Sequence, residues 1–439
     1  MSSSKHEELE KRYNKGVISY ISENLKKLYA KNMPSSSKHC VWYIRNYVLN
    51  NTKKSLNHYA LIGDVKNFDI LFNKNDYKIE TLFGAIIGNQ TEIIKYLSHK
   101  KCNLNEKYDM QISKEGEIFG MYPLFFCSII NSYNCMKELI NCGADPNLQI
   151  DKISGTNSLL LSAEYGHLEC LRIVSPFCDI NYTNHAGLNA IYATAANNAS
   201  IECVDYLVKK GCDYEAEQKD GATPIFLAAQ SGNNMFIKYF ANKFIQEGDY
   251  GKIKKLVNEP RKDGMTPCYI AAFKDNYETM KLLHMYGANI NATHDEGDTP
   301  LHIAASYGYI QSLKVLLNLG AIIDQPMNYN NREYALYTPL HLACETCKTD
   351  VIKELLNLGA KPYYANKKGE TALKICENNG YKEGIELIHD WMNANPMNHN
   401  MINPNKVNVN IKTGKREVND AFEDLQNSFD SMKMKRAKK

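Results

Sequence analysis

Over most of its length the chain sets its apolar residues in two short runs separated by a turn, and the pair of runs recurs. Placed in register, the clearest copies are GATPIFLAAQSGNNMFIKYF (221–240), GMTPCYIAAFKDNYETMKLLHMYGANIN (264–291), GDTPLHIAASYGYIQSLKVLLNLGAIID (297–324) and YTPLHLACETCKTDVIKELLNLGAKP (337–362). GETALKICENNGYKEGIELI (369–388) follows, and weaker copies precede at 121–147, 156–181 and 188–213. The positions equivalent to the leading Thr are 122, 157, 189, 223, 266, 299, 338 and 371, so the modal spacing is 33. A fixed period of this size is the mark of a stacked repeat. Within one copy, Thr299 or Thr338 is placed to accept from unpaired amides at a helix start, and Pro300 or Pro339 suits the first helical position. Ala304 and Ala305 are small enough to let neighbouring helices approach. Gly308 allows a tight turn into a second helix, whose stripe Leu313, Leu316, Leu317 needs burial against the next copy. Gly320 ends that helix in the left-handed region. One copy cannot cover its own apolar face, so the expectation is an all-α solenoid of helix pairs sharing an elongated core.

This pattern resembles the ankyrin-repeat family over about 55–390. TPLH occurs at Thr299–His302 and Thr338–His341, and the helix end GAD or GAN at Gly143–Asp145 and Gly287–Asn289. The resemblance implies a superhelix of helix pairs with finger-like loops along one edge and a concave surface that binds a partner protein. It also implies that His302 and His341 make inter-repeat hydrogen bonds rather than act as bases. About ten repeats are expected over 55–391. The first two, SLNHYALIGDVKNFDILFN and ETLFGAIIGNQTEIIKYLSHK, keep glycines at 63 and 88 but lack the Thr-Pro start. Upstream, residues 1–54 carry Val17, Ile21, Leu25 and Leu28 at helical spacing and are expected to cap the stack.

Three insertions break the period. Glu106–Gly120 lengthens a finger, and 241–264 adds ten residues that extend a helix pair or form a short extra helix. QPMNYNNREYALY (325–337) places Tyr329, Tyr334 and Tyr337 on the finger edge, either as interface anchors or as side chains folded back on the stack. By analogy with the family, the partner-facing set comes from first-helix ends and fingers: Tyr165, Gln230, Phe273, Lys274, Asp295, Ser306, Tyr307, Tyr334, Tyr337, Glu345 and Thr346. Glu164 and Asp298 fall in the same register. The sharpest expectation is that Tyr307, Tyr334 and Tyr337 supply most of the binding energy.

Composition narrows the function without naming it. Hydrophobic residues make up 44% and charged residues 23%, and the net charge is +3. Mixed charge with no basic stripe argues against nucleic acid as partner. No apolar run reaches the length of a membrane span, and the opening MSSSKHEELEKRYNKG lacks the apolar core of a signal peptide. With thirteen cysteines and no export signal, a cytoplasmic setting is expected, with a nuclear one as alternative. The 48 asparagines are dispersed and read as codon bias. Cys344 and Cys347 form the single CxxC, short of the four ligands zinc needs, so no metal or cofactor is expected. Cys344 replaces a repeat alanine, and Cys135, Cys170 and Cys203 fall on apolar second-helix positions. No phosphate-binding loop, nucleophile elbow or zinc-protease motif occurs, so no enzyme activity is expected.

After Trp391 the chain turns polar, reading as a linker over 392–416. An amphipathic helix with a basic end is then expected over 417–439, with Val418, Phe422, Leu425, Phe429 and Met432 on one face. It either caps the last repeat or docks on a partner. The overall expectation is a non-catalytic scaffold or adaptor, monomeric on its own, that binds a protein of unknown identity. The alternatives are a targeting subunit of an enzyme complex, of ubiquitin-ligase or phosphatase type, and a permanent part of a cytoskeletal or ciliary assembly.

Overall fold

The computed structural model describes residues 55–73, 77–111, 118–149, 154–197, 199–216, 218–327 and 335–395. The expected N-terminal cap, most of the polar linker and the C-terminal helix lie outside them. The chain divides into two units, 1–219 and 220–439.

In the first unit, helix pairs follow one another as α1 (Leu56–Ile62) and α2 (Val65–Leu71), α3 (Ile79–Ile87) and α4 (Thr91–His99), α5 (Pro123–Ile130) and α6 (Tyr133–Asn141). Then come α7 (Ser158–Glu164) with α8 (Leu168–Val174), and α9 (Ala190–Ala196) with α10 (Ile201–Lys209). First helices pack on first helices (α1, α3, α5, α7, α9) and second on second (α2, α4, α6, α8, α10). The first helices are buried almost throughout, as in α5, where all of Pro123–Ile130 is covered. The second helices bury one stripe only, which explains why their polar residues alternate with apolar ones while the first helices read as continuous apolar runs. The divergent opening copies are therefore true helix pairs. Gly88 has an ordinary helical φ of −81°, and its need is space: a Cβ there would stand 1.9 Å from the Leu61 carbonyl oxygen. The first insertion forms a short antiparallel ribbon, β1 (Tyr108–Gln111) with β2 (Ile118–Met121), in the register Tyr108 to Met121. The Tyr108 hydroxyl donates to Glu80 at 2.6 Å and ties the ribbon to α3.

The second unit repeats the scheme with α11 (Pro224–Ser231) and α12 (Asn234–Glu247), then an extra helix α13 (Tyr250–Leu256). It continues with α14 (Pro267–Phe273) and α15 (Tyr277–Met285), α16 (Pro300–Tyr307) and α17 (Ile310–Asn318), and α18 (Pro339–Glu345) and α19 (Thr349–Asn357). It ends with α20 (Ala372–Asn378) and α21 (Lys382–Ala394), so the last helix outruns the expected start of the linker by three residues. The second insertion is thus a longer α12 followed by a short helix, both alternatives at once. Ala304 and Ala305 are fully buried on α16, which packs between α14 and α18, as their size requires.

The helix starts follow the expected chemistry. Thr338 accepts from the His341 amide, and its own amide donates to His341 Nδ1 at 3.0 Å. The His341 Nε2–H then donates to the Tyr364 carbonyl at 3.0 Å, and His302 reaches the Tyr337 carbonyl in the same way at 3.1 Å. Both rings are held neutral by burial, which lowers each pKa to about 4. Gly320 has φ +91° and closes the end of α17 as expected, its amide bonding to Leu317 O and that of Ala321 to Leu316 O.

Candidate protein-interaction surface

Among the described residues, the sequence-chosen positions separate into three groups. Phe273, Lys274 and Tyr307 come together. Phe273 closes α14 and Tyr307 closes α16, and because those helices are neighbours the two rings meet edge to face at 5.3 Å. Tyr309, just past the Gly308 turn, stacks on Tyr307 at 5.6 Å. The Lys274 ammonium lies 5.4 Å from the Phe273 centroid. Tyr307 is 48% exposed, a large aromatic side chain that the stack leaves in water. Such rings gain energy when a partner covers them, and they lose little rotamer entropy on doing so. Tyr309 was absent from the sequence-chosen set because the register assigns its position to the turn. A second tyrosine two residues from Tyr307, across a glycine, was the available signal.

Gln230, Ser306, Glu345, Thr346 and Asp295 flank this patch or lie further along the fingers. Gln230, Ser306, Glu345 and Thr346 are half-buried at first-helix ends, and Asp295 is exposed on a finger. Several have local structural bonds. The Gln230 carbonyl accepts from Asn276 at 3.0 Å, Thr346 Oγ1 donates to Leu342 O at 2.8 Å, and the Glu345 carbonyl accepts from Asn379 at 3.3 Å. The Asp295 amide donates to the Asp263 carbonyl of the preceding finger at 3.2 Å.

Two positions do not face a partner. Tyr165 is 7% exposed and stacks on His167, and Tyr337 is 3% exposed with its ring against His341. Tyr337 closes the base of its finger: its carbonyl accepts from the Met327 amide at 2.7 Å as well as from His302. The expectation that it anchors a partner is corrected, because this backbone pairing turns its side chain into the stack. Tyr334 and Tyr329 lie outside the described residues. Asp298, also in the partner-facing register, is instead buried, accepting from the Tyr269 hydroxyl at 2.5 Å with His294 Nδ1 at 3.2 Å. Burial, then Asp298 itself, raises the Tyr269 pKa, so this group is a neutral hydroxyl clamped by a carboxylate.

In the first unit the matching register holds Glu164, half-buried at the end of α7. Burial alone lifts its carboxyl to about 7.

The cysteines sit where packing wants them. Cys135, Cys170 and Cys203 are buried on the second helices α6, α8 and α10, and burial pushes the Cys135 thiol up to about 12. Cys344 is buried on α18 in hydrogen-bonding contact with Cys376 of α20, while Cys347 is exposed. No described helix is long and apolar enough to cross a membrane.

Comparison with known proteins agrees with this architecture. A family model described as ankyrin repeats (3 copies) matches residues 82–184, 159–246 and 243–327, and a single ankyrin-repeat model matches 336–367. The chain is similar to alpha-latroinsectotoxin-Lt1a of Latrodectus tredecimguttatus, 31% identical over 160 residues, 34% of this chain and 10% of that one. It is 27% identical over 241 residues to the nuclear factor NF-kappa-B p105 subunit of Gallus gallus, covering 53% of this chain and 23% of the relative. Ankyrin repeat and SOCS box protein 14 of Mus musculus is 27% identical over 147 residues, 32% of this chain and 23% of that protein. The chain therefore spans between a tenth and a quarter of the length of these relatives. With well over half of its residues under the family models, the chain belongs to the ankyrin-repeat family.

Proposed function

We propose that this protein is a non-catalytic adaptor that binds a partner protein through the first-helix ends and fingers of its second unit. Ankyrin repeats are protein-interaction modules, and the observation that supports this placement is the cluster of exposed Tyr307 with half-buried Phe273 and Tyr309, and Lys274 beside it. A stacked scaffold presents such rings already ordered, so little of the binding energy is spent on ordering them. The protein would work as a monomer in the cytoplasm, with the nucleus as alternative compartment.

The test is proximity labelling to recover the partner, followed by binding measurements on variants. Tyr307→Ala is expected to weaken binding by about thirtyfold, the equivalent of a 2 kcal/mol hot spot, with unchanged helical circular dichroism and melting temperature. Tyr337→Ala is the contrast: removing a ring from the packed finger base costs about 3 kcal/mol of stability and lowers the melting temperature. A Tyr307→Ala protein that folds and keeps full affinity sinks this placement. A second reading, a targeting subunit of ubiquitin-ligase type, draws on the similarity to a SOCS box protein. Co-purification of ligase activity that is lost on deleting 396–439 would favour it.

A further inference from the structure

The aromatic cluster is bracketed by two lysines. Lys274 sits on the Phe273 ring, and the Lys348 stem runs along Gly308, its Cδ 3.2 Å from where a Cβ on that glycine would stand. Neither ammonium has a carboxylate within ion-pair distance among the described residues. Of the nearby acids, Asp275 accepts from Ser312 at 2.5 Å and Glu345 is half-buried at the end of its own helix. The surface is thus aromatic in the middle and positive on two sides. It fits an acidic segment that also carries bulky apolar residues.

This chain contains such a segment. Residues 417–430, EVNDAFEDLQNSFD, hold five carboxylates and no basic residue, together with Val418, Phe422, Leu425 and Phe429. We propose that residues 417–430 dock on the surface formed by Phe273, Tyr307 and Tyr309, with their carboxylates against Lys274 and Lys348. The inference rests on the function proposed above, since it assigns an intramolecular occupant to the same surface, one that an external partner must displace.

Two observations favour this occupant and this place. The last helix pair, α20–α21, has no large apolar side chain that is mostly exposed, whereas Tyr307 is 48% exposed, so the aromatic surface leaves more apolar area for the Phe422, Leu425, Phe429 stripe to cover. The tether is long enough. It leaves the end of α21, whose partner α20 is two to three helix packings from α16 and α14, about 20–30 Å at 8–10 Å each. The 21 residues 396–416 can reach at most about 70 Å when fully extended, so the covalent link permits the contact. Covalent attachment makes the contact intramolecular, which favours its occupancy even where the contact is weak.

The test needs no external partner. Full-length protein, half of it labelled with 15N, is treated with a carbodiimide, which joins a carboxylate to an amine it touches with loss of water. Peptide mapping is expected to find Lys274 or Lys348 joined to acids of 417–430, without isotope mixing. The yield is expected to fall severalfold for Phe422→Ser/Phe429→Ser, and in about 1 M salt, where the screening length is about 3 Å. Absence of these links overturns the proposal. So does isotope mixing, which assigns the surface to a second copy, and so does an undiminished yield in the serine variant. A protein that lacks the links but loses its external partner on Tyr307→Ala separates the two ideas, keeping the proposed function and removing this one.

Discussion

His302 and His341 do two jobs at once, and their protonation state decides whether either is done. Each Nδ1 accepts a threonine amide and each Nε2 donates to a carbonyl of the following repeat, an arrangement only the neutral ring can make. Burial is the main reason that their pKa values fall to about 4 from the ordinary 6.5. The folded values lie below the unfolded one, so this stabilisation is complete above about pH 6.5. It is lost as pH falls toward 4, because the unfolded chain takes up protons that the fold excludes. Urea midpoints measured from pH 7.5 to 4.5 should therefore fall more steeply for the native protein than for His302→Gln/His341→Gln. The excess slope should approach two protons per molecule. Equal slopes would mean that these rings do not stay neutral in the fold. The residue scale is also where the sequence was least informative. Thr299, Thr338 and the two histidines were legible because a helix start has one chemistry wherever it occurs. The burial of Tyr165 and Tyr337 was not, because it depends on which neighbour the chain folds against, His167 in one case and a finger base in the other.

Between elements, asparagine recurs as a clasp. Asn258 Nδ2 donates to the Gly287 carbonyl at 2.9 Å while its Oδ1 accepts from the Asn289 amide at 2.7 Å. Asn291 repeats this on Gly320 and Ile322, and Asn105 and Asn181 do the same in the first unit. Each clasp meets a carbonyl left over at a helix end and pins the loop of one repeat to the next. Asn157 and Asn189 stand at the Thr-equivalent position and cap α7 and α9 by the same acceptor chemistry. The fold therefore uses asparagine at defined places in the repeat, and the dispersal of the asparagines reflects in part that repeat. Asn258→Ala removes a donor and an acceptor together. It should cost about 1–2 kcal/mol, visible as a lower denaturation midpoint, whereas the exposed Asn357→Ala should stay within about 0.5 kcal/mol. Similar losses from both would deny the clasp its role. The clasp was hidden in the sequence because its partners are backbone groups, which leave no residue signature. The ribbon in the Glu106–Gly120 finger was hidden for a related reason: the insertion's length could be read, but its strand pairing could not.

At the scale of the whole chain, the family's architecture determines how stability is distributed. In the second unit each helix pair packs mainly on the pairs before and after it, from α11–α12 to α20–α21. Stability in such a stack is the sum of repeat terms and nearest-neighbour terms, so damage at one end should fade along it. Ile388 is the test position, fully buried on α21, which packs against α19. Ile388→Ala should remove about 2–4 kcal/mol of local packing. Hydrogen exchange should then quicken most in α20 and α21, less in α18 and α19, and least in α11 and α14, since local opening follows the weakened contacts. The aromatic surface at α14 and α16 lies two to three helix packings from the damage and should keep most of its protection. It should keep its partner as well, so that end repeats can be altered without loss of recognition. A uniform loss of protection across the unit would show a single cooperative block, and recognition would then depend on every repeat at once.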